Sequence, residues 1–106
     1  IETTQKTDLN VISSGGIRTG VEIVKSLALG ADMGGMAKPF LEKAVKGKKA
    51  LSRYVDDIIR EIRVAMFLVG ARNIEDLGRV PVLVTGETAE WLRLRGIDVD
   101  GYAKRV

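Results

Sequence analysis

The segment Ser14-Gly15-Gly16-Ile17-Arg18-Thr19-Gly20 constrains this chain more than any other. Val11-Ile12-Ser13-Ser14 runs from apolar to small residues and stops at two glycines, the pattern of a short buried strand meeting a tight turn. After the turn, Val21, Val24, Leu27 and Ala28 recur at helical spacing, and Thr19 with Glu22 forms a T-x-x-E capping box at the start of that helix. Gly30 fits the left-handed position past its end. Residues 31–37 (ADMGGMA) are apolar and Gly-bearing, as in a second buried strand with close backbone approach. Lys38-Pro39 breaks that strand, and residues 40–45 restart as a helix. Two strands joined through one helix make a parallel βαβ unit, right-handed by the usual rule.

Beyond this unit the chain reads as helical. Leu51, Val55, Ile58, Ile59, Ile62, Met66 and Val69 mark one face of a helix over residues 51–69, and Asp56, Asp57, Arg60, Glu61 and Arg63 mark the other. Ser52 is the expected cap at its start and Gly70 at its end. Lys46, Lys48 and Lys49 flank Gly47 as a solvated helix connection. Asn73 is placed to cap a short helix over residues 74–77. Residues 81–84 (PVLV) resemble a strand beginning with proline. Thr85 or Gly86 then opens a helix to about Arg95, anchored by Trp91, Leu92 and Leu94 and stopped by Gly96. Residues 97–106 read as a tail, and residues 1–10, polar and without a period, as a connection into the first strand.

Composition narrows the chemistry. The chain has no Cys and no His, which removes disulfides, zinc–thiolate sites, thiol nucleophiles and histidine acid–base pairs. The net charge is +3, from 17 Lys and Arg against 14 Asp and Glu. That excess suits an anionic ligand and gives no argument for nucleic acid. No apolar run approaches the roughly 20 residues of a membrane span, and no signal peptide is visible, so the expectation is a cytoplasmic protein.

The glycine turn points to phosphate. Glycines bring backbone N–H groups close to a ligand with no Cβ in the way. A helix N-terminus offers unpaired donors and partial positive charge. Arg18 adds a permanently charged fork that matches phosphate oxygens. The competing reading is a glycine-rich turn with Arg18 on the surface. Gly34, Gly35, Ala37 and Lys38, at the end of the following strand, favour the phosphate reading. In (β/α)₈ barrels a phosphate often sits between the loops after strands seven and eight. For the glycines, tight strand–helix packing is the alternative. Lys38 is given no catalytic role. The spacing is not the G-x-G-x-x-G of dinucleotide folds, and no Gly-Lys-Ser/Thr of a Walker loop is present.

SGGIRTG followed by KSLALGADMGGMAKPF resembles the end of type 2 isopentenyl-diphosphate delta-isomerase, an FMN-dependent family. The pattern GGIR…ALALGA is shared with other FMN barrels, including 2-hydroxy-acid oxidases and inosine-monophosphate-dehydrogenase-like proteins. The later run GARNIEDLGRVPVLVTGETAEWLRLRGID is similar to the isomerase tail in particular. The resemblance covers roughly residues 11–102. It implies an α/β fold, the C-terminal part of a (β/α)₈ TIM barrel with strands seven and eight, their helices and a helical C-terminal extension. Residues 1–10 would be a connection, with Ile1-Glu2-Thr3 matching the end of strand six. Residues 11–50 would be the FMN-phosphate part, and residues 51–106 the helices and tail. A whole barrel needs about 250 residues, so the chain would be a fragment or one chain of a broken protein.

Carried over residue by residue, the resemblance assigns cofactor binding to Gly16, Ile17 and Arg18 after strand seven and to Ala37 and Lys38 after strand eight. It implies interconversion of isopentenyl and dimethylallyl diphosphate, with reduced FMN handling the proton, NADPH reducing the flavin and Mg²⁺ holding the substrate diphosphate. The last two, and every catalytic or metal-binding residue, would lie outside this chain. It also implies a homo-oligomer, with Trp91 and the tail as candidate subunit contacts. Two other functions remain open from the residues: another FMN-dependent barrel oxidoreductase of the hydroxy-acid or nucleotide type, and a non-enzymatic helical oligomerisation module built on residues 51–69.

Overall fold

The computed structural model describes residues 1–106. The βαβ unit consists of β1 (Ile12–Ser13), α2 (Gly20–Ala28) and β2 (Met33–Gly34), preceded by a one-turn α1 (Glu2–Lys6). The strands pair in parallel, Ile12 beside Met33 and Ser13 beside Gly34. Side chains alternate across a strand, so the two faces of this sheet differ. Ser13 and Gly34 face α2. Ser13 Oγ donates to Ser26 Oγ at 3.1 Å, and a Cβ on Gly34 would meet Ile23 at 3.0 Å. Ile12 and Met33 point the other way and are exposed by 64% and 58%. A strand pair of this kind is stable only with both faces covered, and this one has a helix on one face alone.

The helices follow in order: α3 (Lys38–Val45), α4 (Lys48–Leu68), α5 (Ile74–Leu77), α6 (Gly86–Leu94) and α7 (Asp100–Ala103). Helix α4 packs chiefly on α2 and secondarily on α3. Val24, Ala71 and Leu77 form one core cluster, walled by Leu27, Ile62, Ala65, Met66 and Val80. Leu92, Ile97 and Val99 form a second, with Ile1 and Val84 against it. The radius of gyration is 15.3 Å, against about 13 Å for a compact domain of this length. The core is thin, and the chain is a mixed α/β arrangement of two parallel strands and several helices.

Several local expectations are corrected. Residues 2–6 are helical and not an irregular connection or a strand end, with Thr4 Oγ1 bonded back to the Ile1 carbonyl at 2.8 Å. Helix α3 starts at Lys38, two residues early, because proline is tolerated in a first helical turn. Helix α4 starts at Lys48 behind Gly47, whose φ of 121° supplies the turn, so Ser52 lies inside the helix and caps nothing. Residues 81–84 pair with no strand; the Val82 N–H donates instead to the Tyr102 carbonyl at 2.9 Å.

The C-terminal end also departs from expectation. Of the three anchors in α6, only Leu92 is buried, while Trp91 and Leu94 are exposed by 54% and 82%. Residues 97–106 are docked. Arg105 donates to the Ala28 carbonyl at 2.5 Å and Tyr102 Oη to the Leu29 carbonyl at 3.2 Å, so the tail satisfies the orphan carbonyls at the end of α2. Gln5 and Glu2 tie α1 to the same region through the Asp98 carbonyl at 2.6 Å and Arg95 at 3.0 Å.

The closest helix approach is at Gly20, the first residue of α2. A Cβ there would lie 2.5 Å from the Ile58 carbonyl oxygen and 2.9 Å from the Ile62 nitrogen, both α4 backbone. Gly20→Ala must push α4 away, and overpacking of this kind costs about 1–3 kcal/mol. Urea denaturation should show that loss. Unchanged stability would mean the two helices are not in this contact.

Candidate functional site

The loops after β1 and β2 leave the same end of the sheet, the C-terminal edge where open α/β folds and barrels place their ligands. Between them is a cleft of about 480 Å³, lined by Ser14 to Arg18 on one side and Gly35 to Pro39 on the other. All five residues singled out in the sequence (Gly16, Ile17, Arg18, Ala37 and Lys38) are on its wall. The geometry therefore brings together two segments some twenty residues apart in the chain.

Backbone conformation sets what the first segment offers. Gly15 and Gly16 have φ of 83° and 85°, a region other residues rarely adopt, and a Cβ on either would meet no atom. Glycine is needed here for the turn and not for space. Ile17 turns its side chain into the core at 8% exposure, so only its backbone faces the cleft. The N–H groups of Gly16 and Ile17 donate to no protein acceptor, and neither do those of Ala37 and Lys38.

The helix that follows the glycine turn does not contribute as the sequence suggested. The capping box of Thr19 and Glu22 is formed. The Glu22 carboxylate accepts from the Arg18 and Thr19 N–H groups at 2.6 and 3.1 Å, Thr19 Oγ1 accepts from Glu22 N–H, and the Glu61 carboxylate accepts from Gly20 N–H at 3.0 Å. The N–H groups of Arg18, Thr19 and Gly20 are thus taken by the protein's own carboxylates and that of Glu22 by the Thr19 hydroxyl, which leaves Val21 as the unpaired donor of the first turn, so the expectation of an open helix N-terminus is corrected in large part. Glu61, assigned by sequence to the outer face of its helix, points inward for this purpose.

The open helix N-terminus belongs to α3. Its N-cap residue Ala37 has no capping side chain, its first turn has no acid, and its first residue is Lys38. A lysine is unfavourable at the positive end of a helix dipole, so this terminus carries an uncompensated positive field directed at the cleft. A pairwise sequence reading does not find this feature, because it consists of the absence of a cap.

Arg18 is held at both of its peptide groups. Its N–H donates to Glu22, and its carbonyl accepts from Tyr54 Oη of α4 at 2.6 Å. The Tyr54 ring takes the edge of Phe40, with centroids 5.7 Å apart and planes at 77°. Burial, and then the Glu61 carboxylate, push the Tyr54 hydroxyl pKa up, which keeps it protonated and donating. Sequence reasoning missed Tyr54, since its position on α4 relates to the turn only through folding. No group of acidic residues is arranged to hold a metal ion, and no helix is long and apolar enough to cross a membrane.

The family of FMN-dependent dehydrogenases matches residues 1–83. The chain therefore belongs to that flavoprotein family. Within it, the chain is homologous to isopentenyl-diphosphate delta-isomerases. It is 47% identical over 98 residues to the enzyme of Methanosarcina barkeri, covering 92% of this chain and 27% of the relative. It is 48% identical over 103 residues to that of Thermococcus kodakarensis, covering 92% and 26%. It is 40% identical over 105 residues to that of Methanothermobacter thermautotrophicus, covering 99% and 30%. The chain thus spans between a quarter and a third of these relatives' length. The last alignment takes in α6 and α7, which lie beyond the residues the general family matches.

The chemistry of the lining suits an anion such as a phosphate: four N–H groups without a protein acceptor, on Gly16, Ile17, Ala37 and Lys38, belong to residues of one cleft that Arg18 and Lys38 also line.

The capping carboxylate makes an acid prediction. Hydrogen bonds from the Arg18 N–H first, and then from Thr19, lower the Glu22 pKa below its ordinary 4.5 despite an opposing burial effect. Its stabilisation is fully present above that value and is lost as pH falls through the depressed native pKa. Thermal midpoints measured from pH 6 to pH 2 should fall more steeply in the parent protein than in Glu22→Gln. Parallel curves would show that the carboxylate contributes nothing.

Proposed function

We propose that this chain supplies the flavin-phosphate site of an FMN-dependent isopentenyl-diphosphate delta-isomerase. In this reading β1 and β2 are strands seven and eight of a (β/α)₈ barrel. Residues 11–50 form the phosphate-binding part, and residues 51–106 brace it from outside. The whole enzyme interconverts isopentenyl and dimethylallyl diphosphate in isoprenoid biosynthesis. NADPH, Mg²⁺ and the substrate diphosphate engage parts of the protein outside this chain, and the assembly is a homo-oligomer.

The observation that carries the reading is the pair of loops. Gly16 and Ile17 from one, and Ala37 and Lys38 from the other, present unpaired backbone N–H groups to one cleft beside an uncapped helix terminus. Such an arrangement selects a multiply charged anion over a neutral ligand. The Gly16, Ile17, Ala37 and Lys38 N–H groups would donate to phosphate oxygens, and the Arg18 guanidinium would neutralise charge. The bare faces of Ile12 and Met33 support the barrel reading, since a barrel interior would cover them. When bound, the flavin supplies the proton and electron chemistry that a segment without His or Cys does not. The chain's own part is to bind and orient it.

Two measurements test this in the full-length protein that contains the chain. Arg18→Ala should weaken FMN binding by about 1.5–3 kcal/mol, the scale of a hydrogen bond to a charged group; unchanged affinity in a flavin-fluorescence titration removes Arg18 from the site. Product analysis with isopentenyl diphosphate should give the allylic isomer with no net oxidation. Net hydride transfer to or from another substrate would instead place the protein among the FMN-dependent oxidoreductases.

A further inference from the structure

Tyr54 lies behind the cleft and joins the first wall to the helix that follows the second. It belongs to neither loop, standing 36 residues beyond Arg18 on α4. Its hydroxyl holds the Arg18 carbonyl at 2.6 Å. Its ring packs against Phe40, in the first turn of α3, whose N-terminus forms the second wall. The first wall needs such a restraint. Gly15 and Gly16 permit a wide range of backbone conformations, and nothing packs where their side chains would be. The Arg18 N–H is fixed by Glu22, but its carbonyl has no other donor. The same peptide group is held at its other end by the Thr19 N–H, which donates to Glu22 at 3.1 Å, so Tyr54 Oη is the second of two anchors that fix its plane, and the one that comes from a distant helix.

We infer that Tyr54 is a positioning residue that sets the spacing of the two phosphate-binding segments by holding Arg18 through its hydroxyl and α3 through its ring. This rests on the reading of the cleft as the flavin-phosphate site. The physical effect is on preorganisation. If the donor-competent arrangement is only fractionally populated in the free protein, the apparent affinity falls by that fraction. Tyr54 does not line the cleft, so loss of its hydroxyl acts through Arg18 on the phosphate and leaves contacts to the flavin ring unchanged.

The test compares FMN with riboflavin, which has the same ring system and no phosphate, in the full-length protein. Tyr54→Phe keeps the ring and its contact with Phe40 and removes only the hydroxyl. Its FMN dissociation constant should rise roughly three- to tenfold, the range for one neutral hydrogen bond, with riboflavin affinity unchanged. Tyr54→Leu, which also removes the ring, should weaken FMN further, again without a matching loss for riboflavin. Equal FMN affinity in Tyr54→Phe and the parent protein overturns the inference. So does an equal loss for both ligands, which marks general destabilisation. If the parent protein itself does not prefer FMN to riboflavin, the cleft reading fails first, and the role of Tyr54 fails with it.

Discussion

The contact between Gly20 and the α4 backbone is the constraint on which the rest of this structure depends. Only a residue without a Cβ lets the start of α2 approach the Ile58 carbonyl and the Ile62 nitrogen. That approach puts Glu61 within reach of the Gly20 N–H and Tyr54 within reach of the Arg18 carbonyl. It also lays Ile62, Ala65 and Met66 over Val24 and so forms the larger core cluster. Packing and site geometry therefore share one origin. A helix shift at this point would loosen the core and release the cleft loop together, because close-packed interiors do not deform continuously.

Electrostatics divides the two helix N-termini beside the cleft. At the start of helix α2 most donors are spent internally, those of Arg18 and Thr19 on Glu22, that of Gly20 on Glu61 and that of Glu22 on Thr19, which gains rigidity at the cost of anion attraction. Helix α3 has no cap and begins with lysine, the arrangement that a dipole argument disfavours unless an anion completes it. One terminus is a structural anchor for the glycine turn, and the other keeps its field for the cleft. The phosphate reading assigns the first loop a rigid set of backbone donors and the second loop the larger share of the favourable potential.

The opposite end of α2 is closed by residues far away in sequence. Tyr102 and Arg105 cover its last carbonyls, and Arg105 also stacks on the Tyr102 ring at 4.4 Å. The region from α6 to α7 thus belongs to the packing of the βαβ unit. It is also the part shared with isopentenyl-diphosphate delta-isomerases beyond the residues the wider FMN-dependent dehydrogenase family matches. Its clearest mark is the burial of Ile97, Val99 and Tyr102.

What the sequence determined by itself is local and backbone-encoded. The glycine turn at 15 and 16, the Thr19–Glu22 capping box, the Asn73 cap of α5 and the glycine stops at 30, 70 and 96 all depend on neighbours within a few residues, and each is present. The grouping of Gly16, Ile17, Arg18, Ala37 and Lys38 was legible through the family resemblance and the βαβ reading, since two loops after adjacent parallel strands must emerge at one edge. Only the tertiary structure decided the remainder. Residues 81–84 had strand-like composition and no partner to pair with, so a hydrogen bond to Tyr102 replaced the ladder. Residues 97–106 looked like a tail because their burial depends on carbonyls of α2, some seventy residues earlier. The start of α2 looked like an anion site until Glu61 arrived from another helix, and Tyr54 acquired a role only once α4 crossed Gly20. Periodicity and capping act through short chain separations, whereas who fills a donor or covers a carbonyl across the fold is fixed by packing.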